Sequence, residues 1–181
     1  MVQIHETGEG DLKHLQALWA RGDVMAFVGF PNGLEQSDRE MSDWLQWVRE
    51  NRPLVNHYSV YEDDVYCGES FYHLDPATGA AALDVKLLPA ARGRGLGEGA
   101  LTYAVFSAFQ AGAKRVWVDP DPKNEKAIAL YRRLGLVHRP MPPELSDPAY
   151  PDAYYMERTP DDPVPGGCSG HCQGCSGCGG N

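Results

Sequence analysis

Cysteine is nearly absent from the body of this sequence: of 5 in 181 residues, four crowd between Cys168 and Cys178, and Cys67 stands alone elsewhere. A lone thiol cannot build a disulfide framework, so the fold must rest on packing. Long apolar runs are lacking too. None approaches the roughly eighteen residues of a membrane-spanning helix, and Met1 leads into a polar, strand-like segment rather than a signal peptide. A soluble, cytoplasmic protein with no membrane partner is expected. Positive charge is also scarce, since 16 Lys and Arg stand against 25 Asp and Glu, a formal net charge of -9. Nucleic acid would be repelled by that sign, so no such partner is expected, while a cationic one fits. At 181 residues and 43% hydrophobic, the chain can bury one sizeable core and is short for two.

Periodic apolar patterns fill Val2 to Arg158, after which proline, glycine, serine and cysteine take over. We therefore set one domain at 1–158 and a tail, expected to be flexible, at 159–181. Val2 to Glu6 reads as a strand, and Leu12, Leu15 and Leu18 share the face of a helix starting near Asp11. Ser37-Asp38-Arg39-Glu40 is a capping box, and Met41, Trp44, Leu45 and Val48 follow at helical spacing until Asn51-Arg52-Pro53. Strands are expected at His57 to Val65, Tyr66 to Leu74 and Ala80 to about Leu88, the first pair joined at Asp63-Asp64. A helix from Leu96 to Ala111, a buried strand Arg115 to Val118 and a helix capped by Asn124 follow. Short strands at Leu136 to Arg139 and Ala153 to Arg158 complete the order βααβββαβαββ, an α+β domain with a mixed sheet.

The chemistry begins at Arg92-Gly93-Arg94-Gly95-Leu96-Gly97, between a strand and a helix. Backbone N–H groups at a helix N-terminus converge on an anion, and glycine removes the side chains that would block its approach. Two arginines add local positive charge to an acidic chain, which suits a pyrophosphate. A dinucleotide fingerprint is the rival, because Gly95-x-Gly97-x-x-Ala100 fits it and Asp119 lies about twenty residues on. Against it, Pro89 to Arg94 intervenes between strand and glycine, and the remaining chain is too short for the further parallel units. A Walker A loop is excluded, since no Gly-Lys-Ser/Thr follows.

The run Asp84-Val85-Lys86-Leu87-Leu88-Pro89-Ala90-Ala91-Arg92-Gly93-Arg94-Gly95-Leu96-Gly97 resembles the strand, proline and Arg/Gln-x-x-Gly-x-Gly/Ala pattern of the GNAT N-acetyltransferase superfamily. A second segment, Asn124-x-x-Ala127-x-x-Leu130-Tyr131-x-x-x-Gly135-Leu136, is similar to that family's Asn-x-x-Ala-x-x-Leu-Tyr-x-x-x-Gly-Phe, with Leu136 in place of the usual phenylalanine. Phe27-Val28-Gly29-Phe30-Pro31 and Asp119-Pro120 before Asn124 look like the branch containing aminoglycoside 6′- and ribosomal-protein N-acetyltransferases. The resemblance implies a mainly antiparallel mixed sheet flanked by helices, and acetyl transfer from acetyl-CoA to a primary amine.

It also implies roles. The loop Arg92 to Gly97 would hold the pyrophosphate, and backbone groups of Leu87 and Leu88 would bind the pantetheine arm where strand Ala80 to Leu88 splays from strand Arg115 to Val118. One of those N–H groups would face the thioester oxygen. Asn124 is a helix cap, a pantetheine contact, or both, and Tyr131 would protonate the departing thiolate. A carboxylate should relieve the amine of its proton, and Asp84, Glu69 and Asp119 are the candidates. His73 and His138 read as structural. The acceptor would be a small-molecule amine or a protein or peptide amine, with a small cationic amine preferred on charge; a homodimer is compatible. A non-catalytic acyl-CoA binding module is the alternative, though Tyr131 and an oxyanion strand exceed its needs.

The tail raises a separate expectation. Cys168-x-x-x-Cys172-x-x-Cys175-x-x-Cys178, with His171, is a ligand set for zinc or an iron-sulfur cluster, although two knuckles farther apart are usual for zinc. A thiol-rich tail open to oxidation is the competing reading.

Overall fold

Alternation and helical spacing decide most of the elements. A computed structural model describes residues 1–146 and 154–163, with β1 (Val2–Glu6), α1 (Leu12–Trp19), α2 (Gly22–Met25), α3 (Asp38–Glu50), β2 (Val55–Glu62), β3 (Val65–Asp75), β4 (Ala80–Leu87), α4 (Leu96–Gln110), β5 (Arg115–Val118), α5 (Glu125–Arg133), β6 (Val137–His138) and β7 (Met156–Arg158). The α3 capping box is present: Glu40 N–H donates to Ser37 Oγ, and Ser37 N–H donates back to Glu40 Oε2. Asp63 and Asp64 both take positive φ, the backbone of a two-residue hairpin turn, so Val65 opens β3 instead of closing β2. The one-turn helix α2 was not expected, since four residues are too few to display a period.

The seven strands lie in the order β1-β2-β3-β4-β5-β7-β6, and every neighbouring pair is antiparallel except β4 with β5. Leu101, Ala104, Val105 and Ala108 of α4, with Ile128 and Tyr131 of α5, pack on one face against Tyr58, Tyr72, Leu83 and Val116. Leu15 and Leu18 of α1, Val24 and Met25 of α2, and Met41 of α3 cover the other face around Tyr66. Leu15, Leu18 and Leu101 are fully buried, and each contributes about 1.5–3 kcal/mol of hydrophobic stabilisation. Among the described residues no helix is long and apolar enough to cross a membrane.

The last strands differ from expectation in extent. The segment Leu136 to Arg139 keeps only Val137–His138 as strand, because its single partner β7 is short and inserts between β5 and β6. Contacts of the body continue past Arg158: Asp162 accepts from the Thr159 N–H and pairs with Arg139 at 3.0 Å. Cys168, Cys172, Cys175 and Cys178 lie outside the described residues.

Candidate active site

β4 and β5 run together for only three register pairs, ending at Ala82 and Trp117, and then part. That parting is the cleft. The Leu88 N–H donates to the Cys67 carbonyl at 2.9 Å, and the Leu88 carbonyl accepts from Ala91 at 2.8 Å. Leu88 thus has its N–H taken within the protein, and only its carbonyl keeps a lone pair for the pantetheine arm it was expected to meet. Antiparallel alternation turns Leu87 the other way, towards the open edge. There its carbonyl accepts from Arg92 Nε at 3.1 Å. Val85 shares that edge, but its N–H is taken by Asp84 Oδ1 at 2.7 Å. Leu87 is left as the residue whose N–H can meet a ligand in the cleft.

At the cleft's end, Gly93 and Gly95 adopt φ of 77° and 80°, and a Cβ on either would meet nothing within 4 Å. Glycine is needed there for the left-handed backbone, and the space above is open to a ligand. Gly95 caps α4, so the N–H groups of the first turn face that space. Gly97 differs: a Cβ there would touch the side chains of Leu130 and Leu87 at 3.4 Å, so it faces the protein interior rather than the open space. Arg92 is exposed and reaches the Asp23 carbonyl, while Arg94 pairs with Glu62 at 2.5 Å. The loop fits a pyrophosphate by backbone, dipole and charge together. Gly95→Glu should weaken acetyl-CoA binding at least about tenfold, because it adds both left-handed strain and a carboxylate in the cradle. Calorimetry checks this, and unchanged affinity would place the phosphates elsewhere.

Tyr131, 7% exposed, sits on α5 under the parting strands. Burial first, and the Asp84 carboxylate second, push its phenol well above the ordinary range. Asp119 follows β5 directly; burial raises its carboxyl, and the nearby Asp84 adds to the rise. The charge of Asp84 is thus felt at both Asp119 and Tyr131. Asn124 caps α5, its Oδ1 accepting from the Ala127 N–H at 3.2 Å.

The family model for the Acetyltransferase (GNAT) family matches residues 19–136, which include the cleft, the loop and Tyr131. The chain belongs to the GNAT acetyltransferase family. It is an acetyl-CoA-dependent N-acetyltransferase. Similar solved structures include a GNAT acetyltransferase from Streptococcus pneumoniae, with a TM-score of 0.73, 18% identity and coverage of 88% of this chain and 99% of that one. A spermidine N-acetyltransferase from Vibrio cholerae in complex with CoA and spermine has a TM-score of 0.71 at 16% identity, covering 87% and 95%. The aminoglycoside acetyltransferase AAC(6')-Ib in complex with coenzyme A has a TM-score of 0.69 at 20% identity, covering 88% and 95%. No curated protein sequence matches this chain.

Glu69 stands differently in this acetyltransferase from the other two carboxylates. A bulge at Cys67–Gly68 resets β3, so that Gly68 pairs with Val60 while Tyr66 pairs with Tyr61, and Glu69 then points under α1 and α3. Gly68 is required at the bulge, since a Cβ would lie 2.1 Å from the Lys86 carbonyl oxygen. At 1% exposure, Glu69 accepts from Trp19 Nε1 at 3.0 Å, His57 Nε2 at 2.9 Å and Lys86 Nζ at 3.0 Å. Burial alone would raise its carboxyl, but Lys86 and His57 outweigh burial and hold it at about 2. A carboxylate so far below neutrality, with both oxygens engaged, is a poor proton acceptor.

His57, Trp19 and Lys86 were missed in the sequence. Strand alternation puts Asp84 and Lys86 on one face and was the available signal for Lys86; nothing local marks the contact of Trp19 with β3. Lys86 also pairs with Asp84. His73 stands at the rim of this region, 6.0 Å from Trp47, whereas His138 stacks on Tyr154 away from it. Among the described residues no group of three or more His, Cys, Asp or Glu could hold a metal ion.

Proposed function

We propose that the acetyl group passes to a primary amine in the cleft between β4 and β5, with Leu87, Asp119 and Tyr131 as the working groups. The observation that carries this reading is the parting of the two strands after Ala82 and Trp117, with Tyr131 and two carboxylates at the opening. Acetyl-CoA supplies the thioester. Its phosphates lie on the Arg92 to Gly97 loop, and Asn124 borders the pantetheine arm. The Leu87 N–H faces the carbonyl oxygen, where negative charge grows as nitrogen attacks. A C–N bond forms and the C–S bond breaks. The amine's proton goes to Asp119, directly or through one water, and Tyr131 delivers one to the sulfur, so the products are an N-acetylated amine and free thiol.

Asp119 is preferred as the base because burial moves its affinity for a proton in the useful direction, whereas both Asp84 oxygens are held by Lys86 and the Val85 N–H. Asp119→Asn should lower kcat/KM about tenfold near neutral pH, less than the usual ~100-fold for a positioned base because water can also take the proton. The deficit should shrink as pH rises towards the amine's own pKa. An equal loss at every pH would give Asp119 a structural role. The reading as a whole is tested by thiol release from acetyl-CoA across a panel of primary amines, including simple alkyl and aromatic amines, polyamines, aminoglycosides and peptide N-termini. Release with none of them would overturn it.

A further inference from the structure

Beside the cleft, between α1, α3 and the sheet, lies a cavity of 320 Å³. Its walls are aromatic: Trp19 crosses Trp44 at 5.1 Å and 80°, and Trp44 crosses His57 at 4.8 Å and 90°. Phe71 stacks beside His57 at 6.2 Å on the floor, and Trp47 meets His73 edge-on. Lys86 lines the cavity and pairs with Asp84, whose charge is felt at Tyr131 and Asp119, so the cavity lies on the side of the sheet next to the reacting groups.

Charge decides what this cavity accepts. Its one carboxylate, Glu69, has both oxygens engaged by Trp19, His57 and Lys86. Lys86 is in turn balanced by Glu69 and Asp84. The box therefore offers no free anion to a second ammonium group, nor a free cation to an acid. An aromatic cage can bind a cation through ring faces, but here Lys86 already occupies the face of Phe71, 5.7 Å from its centroid. What remains favourable is a neutral, flat, apolar group, for which edge-to-face contacts at such ring separations are attractive. A cavity of about 150 Å³ suffices for benzene, so 320 Å³ holds a one- or two-ring group.

We infer that the acceptor is a monoamine carrying an aromatic ring, an arylalkylamine, whose ring enters the Trp19, Trp44 and Trp47 box while its amine faces the cleft. This rests on the acetyl-transfer reading above and narrows its substrate to one class. It sets aside the polyamines and aminoglycosides that net charge alone favours.

Two measurements on the full chain test it. In the first, phenethylamine, tryptamine, butylamine and spermidine are titrated onto protein saturated with CoA, with calorimetry as readout. The arylalkylamines should bind at least tenfold more tightly than the other two. In the second, thiol release from acetyl-CoA should show at least the same tenfold preference in kcat/KM, carried mainly by KM. Trp47→Ala should bring that preference close to one and Trp47→Phe should restore most of it; Trp47 is 43% exposed, so its loss leaves the core intact. Equal or tighter binding of butylamine or spermidine, or a preference that survives Trp47→Ala, would overturn the inference. Absence of thiol release with every amine would instead overturn acetyl transfer, while the titration still decides what the box holds.

Discussion

Tyr131→Phe should lower turnover by one to three orders of magnitude and leave acetyl-CoA affinity nearly intact, the loss expected when a proton donor is removed from a step whose leaving group needs one. Tyr131 is buried beside the parting strands, and among the described residues no hydrogen bond engages its hydroxyl. Burial and the Asp84 carboxylate raise the phenol, which keeps its proton in place across the working pH range. The same rise makes complete transfer to a thiolate uphill in the resting site, because an ordinary thiol titrates near 8.5. Attack by the amine changes that balance, since positive charge then develops on nitrogen beside the phenol and favours its ionisation. The phenylalanine variant should therefore suffer most with poor leaving groups. An acetyl thioester of a more acidic thiol should recover a large part of the lost rate. Equal losses with both thioesters would mean that Tyr131 positions the ligand, and an unchanged rate with acetyl-CoA would reduce it to packing.

What was legible in the sequence is what local physics writes locally. The capping box at Ser37, the turn at Asp63-Asp64, the glycines at 93 and 95 and the cap at Asn124 each satisfy a requirement within a few residues, and each stands where the pattern put it. The family motifs added the cleft, because Asp84 to Gly97 and Asn124 to Leu136 fix which strand leads into which helix. The interior of the acceptor region was not legible. Trp19, Trp44, His57 and Glu69 meet across separations of up to fifty residues, and their contact depends on a bulge at Gly68 that strand alternation alone would miss. Alternation did bear on Leu88, whose N–H points back to Cys67, but it cannot say which parity faces the cleft until the neighbouring strand is known. Nor could charge counting foresee that Glu69, a candidate base by residue type and strand, is neutralised in place by Lys86 and His57.

That neutralisation yields the second large effect. Glu69→Gln should cost about 3–5 kcal/mol at neutral pH, the penalty for removing one partner from a buried ion pair. The loss has two sources. Lys86, itself buried, keeps only Asp84 as counter-charge. The amide must also present its own N–H donors to Trp19, His57 and Lys86, all of which offer donors to the native carboxylate, so at least one buried polar group is left unpaired. The pH dependence has a definite sign. The folded carboxyl is held at about 2 against an ordinary value of 4.5, so the carboxylate's contribution is complete above pH 4.5 and fades as pH falls towards 2. The gap between the native protein and Glu69→Gln should be constant from neutrality down to about 4.5 and narrow steadily below it. Urea unfolding at several pH values measures this directly. Pairing Glu69→Leu with Lys86→Met, which removes both charges, should recover much of the stability, because packed apolar groups can replace a buried ion pair at little net cost. A single-variant loss under about 1 kcal/mol, or a gap indifferent to pH, would mean that water reaches Glu69 and that the ring of donors around it contributes little to the fold.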